Sequence, residues 1–294
     1  MTAHPQRLVP SVRPEFERGV TDAGVIGDIS RPLSAWERLI GNTLARRIFI
    51  LVLLGAAWQG YAVWTQNPLM FPTLSETLAT LWTSLVDGTL IERCLTSLRV
   101  LVVGYAAGIA AASVLTMLAV TTRFGNDLLS TLTSMFNPLP AIALLPLALL
   151  WFGLGEGSLT FVLVHAVLWP MALNTHSGFM GVSETLRMAG QNYGLKGLRY
   201  VLLILVPAAL PSILTGLKIG WAFAWRTLIA AELVFGVSSG AGGIGWFIYE
   251  NRNQLEIPSV FAGLLMVIII GLLVESVVFR TLEIHTVRKW GMQR

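Results

Sequence analysis

Three ionisable side chains lie inside a long apolar stretch of this sequence, where charge is costly. Lys218 falls near the middle of residues 208–235, and Arg226 and Glu232 follow it. A charge at the centre of a bilayer costs about 2.5–3.5 kcal/mol on insertion scales, so such residues usually face a polar interior. A lining of Lys218 and Arg226 would suit an anionic solute. The alternative is a helix-packing role. Arg226 and Glu232 are six residues apart, so they do not share a helix face and need partners on another helix.

Other patterns argue against enzyme chemistry. Residues 240–245, GAGGIG, match the dinucleotide pattern G-x-G-x-x-G, but no βαβ unit surrounds them, which favours a glycine-rich turn. No G-x-x-x-x-G-K-[ST] loop is present, so any ATP must be bound by another subunit. The lone Cys94 excludes an intrachain disulfide. Metal-ligand spacing is absent from the four histidines, which are His4, His165, His176 and His285. We therefore expect no catalytic residue, cofactor or metal in this chain.

Residues 184–211 form a segment with a different kind of pattern. Residues 184–193 can form a short helix, Gly194 permits the positive φ of a helix stop, and a second helical stretch is expected from Leu195. A short exposed helix that is directly attached to a membrane-spanning helix can transmit a displacement to it. The plainer alternative is an ordinary connecting loop.

The elements that must position these residues are membrane helices. The sequence is 54% hydrophobic and only 12% charged over 294 residues, about half the charge of a typical soluble domain. A helix needs about 20 mostly apolar residues to cross a bilayer. The expected spans are 48–64, 97–120, 128–152, 159–177, 208–235 and 260–280.

The basic residues predict how these spans are oriented. Of the 20 Lys and Arg residues, fifteen fall on the side that holds both termini, two in the opposite loops and three inside spans. Cytoplasmic segments carry such an excess, so both termini are expected in the cytoplasm. The basic residues do not form a stripe with interleaved aromatics, which argues against nucleic acid as a partner.

Two segments outside the core spans have their own patterns. Residues 1–45 contain several prolines and no apolar period, and they are expected to form a flexible cytoplasmic tail. Within residues 70–90, Thr73 and Glu76 fit a capping box ahead of an amphipathic helix. This helix is too short and polar to span. It is expected on the outer face as an interfacial helix, part of a docking surface, or a simple packing helix.

Prolines fall inside or beside three of the expected spans. Each one removes a backbone donor and kinks a helix, and a kink at membrane depth can shape a pathway or be purely structural. They are Pro138, Pro140 and Pro146 in the third span, Pro170 in the fourth, and Pro207 and Pro211 at the fifth.

The segment 184–211 resembles the EAA loop of binding-protein-dependent ABC importer permeases of type I. That pattern is E-A-A, three residues, G, nine residues, I-x-L-P. Ala189, Gly194, Ile204 and Pro207 match it. Three positions depart from it: Met188 stands where the pattern has Glu, Gly190 where it has Ala, and Val206 where it has Leu. The family's charge contact therefore has no counterpart at Met188.

The resemblance extends over residues 70–285. Residues 138–141 (PLPA), 145–147 (LPL), 151–156 (WFGLGE) and 230–232 (AAE) look like the nitrate, sulfonate, taurine and bicarbonate branch of these permeases. It implies a second permease subunit, expected to be an identical copy, and an ABC ATPase subunit that docks on the loop and binds the ATP. It also implies a periplasmic or lipid-anchored solute-binding protein, and a bacterial inner membrane with its lipid.

These observations predict an all-α, polytopic membrane protein with about six transmembrane helices. Its segments are a tail (1–45), a first span (46–66), the outer segment (70–90), a permease core (92–282) with the coupling loop 184–207, and a C-terminal tail (283–294). The expected function is a permease subunit that moves a small anionic solute, such as nitrate, taurine, another sulfonate or an aromatic carboxylate. Two alternatives are a secondary transporter, which usually shows repeated halves, and a polytopic membrane enzyme, which needs convergent acid, base or metal ligands.

Overall fold

The computed structural model describes residues 41–235 and 242–289, and all regular secondary structure in these ranges is helical. The all-α prediction is confirmed. The helices are α1 (Thr43–Thr65), α2 (Leu74–Val86), α3 (Thr89–Thr121), α4 (Arg123–Phe136), α5 (Ala141–Phe152), α6 (Glu156–Met180), α7 (Glu184–Asn192), α8 (Gly197–Ala208), α9 (Leu210–Phe235), α10 (Ile244–Asn253) and α11 (Ile257–Arg288). Most of the predicted tail 1–45, residues 240–241 of the glycine-rich turn and the end of the C-terminal tail lie outside the described residues.

Four of these helices are long and apolar enough to cross a membrane, namely α1, α3, α6 and α11. Two bent pairs reach the same length together: α4 and α5 meet at 88°, and α8 and α9 at 79°. The prediction of about six spans is confirmed. The third span was expected over 128–152 with kinks at its prolines, and the structure shows a complete break at 137–140. Pro138 and Pro140 cannot donate backbone hydrogen bonds, and this explains the break.

The core of the unit that begins at Gly55 is built from α3, α6 and α9. Gly104 and Gly108 stand one turn apart on α3 and let α6 approach closely. A Cβ added at Gly104 would lie 2.6 Å from Leu163 Cβ, and one at Gly108 would lie 2.6 Å from Val167 Cβ. Small residues at such spacing are typical of helix contacts in membranes, where backbone proximity replaces the hydrophobic effect as the driving force.

The helix α2 begins at the capping box that the sequence predicted. The Glu76 N–H donates to Thr73 Oγ1 (3.2 Å), and the Thr73 N–H donates to the Glu76 carboxylate (2.9 Å). These bonds from Thr73 lower the pKa of Glu76. α2 packs mainly against α11.

Candidate functional site

The helix α7 ends at Asn192, and its last turn is closed by Gly194, where the sequence predicted a helix stop. Gly194 has φ +73°. The Gly194 N–H donates to Gln191 O (2.9 Å) and the Leu195 N–H donates to Gly190 O (3.1 Å). This pair of bonds is the Schellman motif, in which a glycine in the left-handed region closes the last turn. The chain restarts as α8 at Gly197, two residues later than Leu195, the expected start.

Two contacts hold α7 against the membrane helices. The guanidinium of Arg187 donates to the carbonyls of Phe179 and Val182, at and just beyond the end of α6. On the other side, Gly190 is buried, and a Cβ there would lie 3.0 Å from Ile204 and 3.1 Å from Tyr200 on α8. The departure from the family pattern at Gly190 thus allows this close approach. α7 is connected through side chains to the helices on both sides of it.

The remaining residues of the coupling loop are either exposed or half-buried. Met188 is 50% exposed and Tyr193 is 87% exposed, so α7 presents apolar surface outward. Ala189, Ile204 and Pro207 are half-buried. The structure therefore brings Gly190 and Ile204 into contact and leaves Met188 at the surface.

The three ionisable residues of α9 are not brought together. The Lys218 ammonium lies 2.9 Å from the carboxylate of Glu283 on α11, which also lies 3.6 Å from Arg288. Arg226 is exposed, its Nε donates to Ala222 O (3.0 Å), and its guanidinium lies 4.9 Å from the centre of the Phe223 ring.

Glu232 occupies a buried network at the end of α9. It is 3% exposed. The Ser97 hydroxyl donates to its carboxylate (2.8 Å), and the Gly245 N–H donates to Glu232 Oε2 (2.8 Å). Ser97 Oγ in turn accepts from the Ile244 N–H (2.9 Å). Side chains from α3 and α9 thereby cap the first two N–H groups of α10, which would otherwise have no partner within their helix.

This network also explains two glycines of the pattern GAGGIG. A Cβ at Gly243 would overlap Ser97 Oγ and the Glu232 carboxylate, and one at Gly245 would lie 2.6 Å from Glu232 Cβ. In the described part of this segment the glycines therefore serve the close packing of α10 on α3 and α9. The sequence indicated a glycine-rich turn, and its second half in fact begins a helix.

A cavity of about 140 Å³ lies at the break between α4 and α5. It is partly open and is lined by the broken segment, by α6 and by α9. Its lining residues are Asn137, Pro138, Leu139, Pro140, Ala141, His165, Ala166, Trp169, Pro170, Phe223 and Thr227. Neither metal-ligand spacing nor catalytic spacing of the histidines in the sequence singles out His165. The Asn-Pro-Leu-Pro break was the signal that could have pointed to this place.

A family model described as "Binding-protein-dependent transport system inner membrane component" matches residues 104–280, more than half of the chain. The chain belongs to this family. The permease is similar to a putative ABC transporter permease of Methanocaldococcus jannaschii, with 31% identity over 79% of this chain and 87% of the relative. It is also similar to the taurine transport system permease of Escherichia coli, with 30% identity over 83% of this chain and 87% of the relative. A nitrate import permease of Synechocystis is 33% identical over 61% of this chain and 64% of the relative.

Family membership confirms the resemblance found in the sequence. The protein is a membrane-embedded permease and a transport subunit rather than an enzyme. Among the described residues, no group of three His, Cys, Asp or Glu side chains is placed to hold a metal ion.

Proposed function

We propose that this permease pairs with a second permease subunit to form the pathway of an ATP-driven importer, and that α7 couples the pathway to a separate ATPase. The observation that carries the proposal is the double attachment of α7, through Arg187 to the end of α6 and through Gly190 to α8. A displacement of α7 therefore moves α6 directly. It also acts on the 79° bend between α8 and α9.

The surface of α7 fits a contact with another protein. Met188 and Tyr193 are large, apolar or amphipathic and exposed, and such side chains are enriched in protein interfaces. Because Met188 replaces the Glu of the family pattern, the contact at this position is apolar. ATP binds to the partner, since this chain has no phosphate loop.

The proposed solute is a small anion delivered by a separate solute-binding protein. Two relatives are named for taurine and nitrate, and Arg226 supplies a cation in the second half of α9. The proposed location is the bacterial inner membrane with both termini cytoplasmic. Fifteen basic residues fall on the side of the termini and only two in the opposite loops, and cytoplasmic segments carry such an excess.

Reconstitution tests this function. The permease is placed in liposomes with its ATPase and solute-binding protein, and uptake of labelled taurine or nitrate is measured with ATP turnover. We expect uptake only when ATP is present on the side of the termini. We also expect no saturable nucleotide binding by the isolated permease. Uptake by the permease alone, driven by an ion gradient, would instead identify a secondary transporter.

A further inference from the structure

The break between α4 and α5 is irregular backbone in the middle of a bent helix pair that together is long and apolar enough to cross a membrane, and we therefore place it at membrane depth. Residues 137–140 lie near the middle of the 30 residues that the two helices cover together. They are exposed on the surface of this chain. Irregular backbone at this depth is tolerated only where it is buried in protein or lines a water-filled cavity, because lipid cannot satisfy its polar groups. This segment is therefore expected to face either a polar pathway or the second subunit.

The other walls of the cavity also come from the middle of spans. His165 and Trp169 lie in the central turns of α6, and Phe223 and Thr227 lie in the middle and second half of α9. Three spans thus converge on one cavity. Substrate sites of transporters typically lie near the bilayer midplane and are formed by discontinuous helices.

The hydrogen bonds of His165 fix which of its nitrogens carries the proton. The Trp169 indole N–H donates to His165 Nδ1 (3.1 Å). Nδ1 is therefore an acceptor, and the proton of the neutral ring is on Nε2. His165 Nε2 lies 3.4 Å from Leu139 O, a long distance for a hydrogen bond. Its N–H can exchange this weak partner for a stronger acceptor.

Two further polar side chains line the cavity, namely the Asn137 amide and the Thr227 hydroxyl. Each can donate a hydrogen bond. No Asp or Glu is among the lining residues. Arg226 is the neighbour of Thr227 on α9, and its guanidinium lies against the Phe223 ring that forms part of the wall. The cavity therefore offers donors and a nearby positive charge, which matches an acceptor-rich anion.

We propose that this cavity is the anion subsite of the pathway. It holds the oxyanion group of the solute, a sulfonate, carboxylate or nitrate, through the His165 Nε2–H, the Thr227 hydroxyl and the Asn137 amide. Arg226 contributes charge at the rim. A volume of about 140 Å³ exceeds what a single water needs and suits a small solute. This inference rests on the proposed importer function.

The first test compares Thr227→Val with Thr215→Val in the reconstituted importer. Thr215 lies on the same helix, and its hydroxyl is bonded to Pro211 O (3.0 Å). We expect Thr227→Val to reduce uptake per ATP hydrolysed about tenfold, as fits one lost hydrogen bond to a charged group. His165→Phe should do the same, and Thr215→Val should match wild type. Wild-type uptake per ATP in both Thr227→Val and His165→Phe would overturn the subsite.

A second test needs no transport by the variant. Thr227→Cys and Thr215→Cys are each made in a Cys94→Ala background, and their reaction with a small methanethiosulfonate reagent is followed in the assembled complex. We expect methanesulfonate at about ten times its Kd to slow modification of position 227 about tenfold. Benzoate and nitrate should act similarly, and choline should not. Position 215 should be unaffected.

The two proposals fail in different ways. Absence of ATP-dependent uptake by the wild-type complex would refute the importer function. Normal wild-type uptake, with no anion protection at position 227, would refute the subsite alone. Protection by choline as well as by anions would show that the cavity does not select for charge, and this too would overturn the subsite.

Discussion

Glu232 and Lys218 are ionisable residues of the same helix, α9, yet their surroundings have little in common. Glu232 is buried, and its partners are the neutral Ser97 hydroxyl and the backbone N–H of Gly245. Lys218 pairs with Glu283, and both side chains are about 30% exposed. Buried networks whose groups are all satisfied tend to be rigid, whereas solvent weakens and salt screens an ion pair to the extent that the pair is accessible. We infer that the Glu232 end of α9 is a fixed point and that the half nearer α8 can adjust.

This comparison places the proposed coupling helix at the adjustable end. α7 contacts the membrane helices through Arg187 and Gly190. The bend between α8 and α9 lies between α7 and Lys218. Movement of α7 can therefore change the first half of α9 while the network around Glu232 keeps α9 joined to α3 and α10. The following predictions test this difference, starting with the largest effect.

The Glu232 end of α9 should be destabilised when a side chain is added in the space beside Gly243. Gly243→Ala places a methyl group into Ser97 and Glu232, and overpacking of this kind costs about 1–3 kcal/mol or more. We expect a lower Tm for the purified permease and poor recovery after heating, measured by size-exclusion chromatography. The control is Gly60→Ala in α1, where no atom lies within 4 Å of the new methyl group. Equal Tm values for the two variants would contradict the inference that the Glu232 network fixes this end of α9.

At the adjustable end, Gly194→Val should separate coupling from folding. The new side chain meets no neighbour, but the φ of +73° is strained for a β-branched residue, at a cost of about 1–3 kcal/mol. We expect normal insertion and little change in Tm, because the strain falls at the exposed end of α7 and can be relieved by local fraying. Uptake and ATP turnover with the partners present should be reduced. Gly194→Asn is the matched control, since Asn tolerates positive φ. If the valine variant transports at the wild-type rate, α7 is not the coupling element.

The pair of Lys218 and Glu283 should contribute little to stability. A double-mutant cycle with Lys218→Met and Glu283→Gln should give a coupling energy of about 0.2–1 kcal/mol that falls as salt is raised. Unfolding of the purified permease in detergent at two salt concentrations would provide the values. A coupling energy above about 2 kcal/mol that is insensitive to salt would show that the Lys218 half of α9 is held as firmly as the Glu232 end.

The smallest effect is expected for Met188→Leu, which keeps an apolar side chain on the exposed face of α7. Met188→Lys should weaken binding of the ATPase, because a charge would enter an apolar contact. ATPase retained on immobilised permease measures the difference. Equal retention of the ATPase by both variants would show that Met188 does not touch the partner.

The sequence predicted the features that depend on neighbouring residues and missed those that depend on distant ones. The Gly194 stop and the Thr73 capping box each involve bonds within a few residues, so spacing was enough. The partner of Lys218 lies 65 residues away, and the side-chain partner of Glu232, Ser97, lies 135 residues away. No local period carries that information. The kink in the third span was signalled by Pro138 and Pro140, but spacing alone did not give the 88° angle of the break.

The π-helical turn at Val201–Leu205, within α8, has a consequence for how this chain can vary in length. A π turn holds one residue more than an α turn would. Loss of one residue there can be absorbed by a return to ordinary α geometry, with both flanking segments kept in place. The same loss between Lys218 and Glu232 would rotate every later side chain of α9 by about 100°, away from Ser97 and Gly245. A single-residue deletion is therefore expected to be tolerated within the π turn, and to disrupt the Glu232 network when it falls between Lys218 and Glu232.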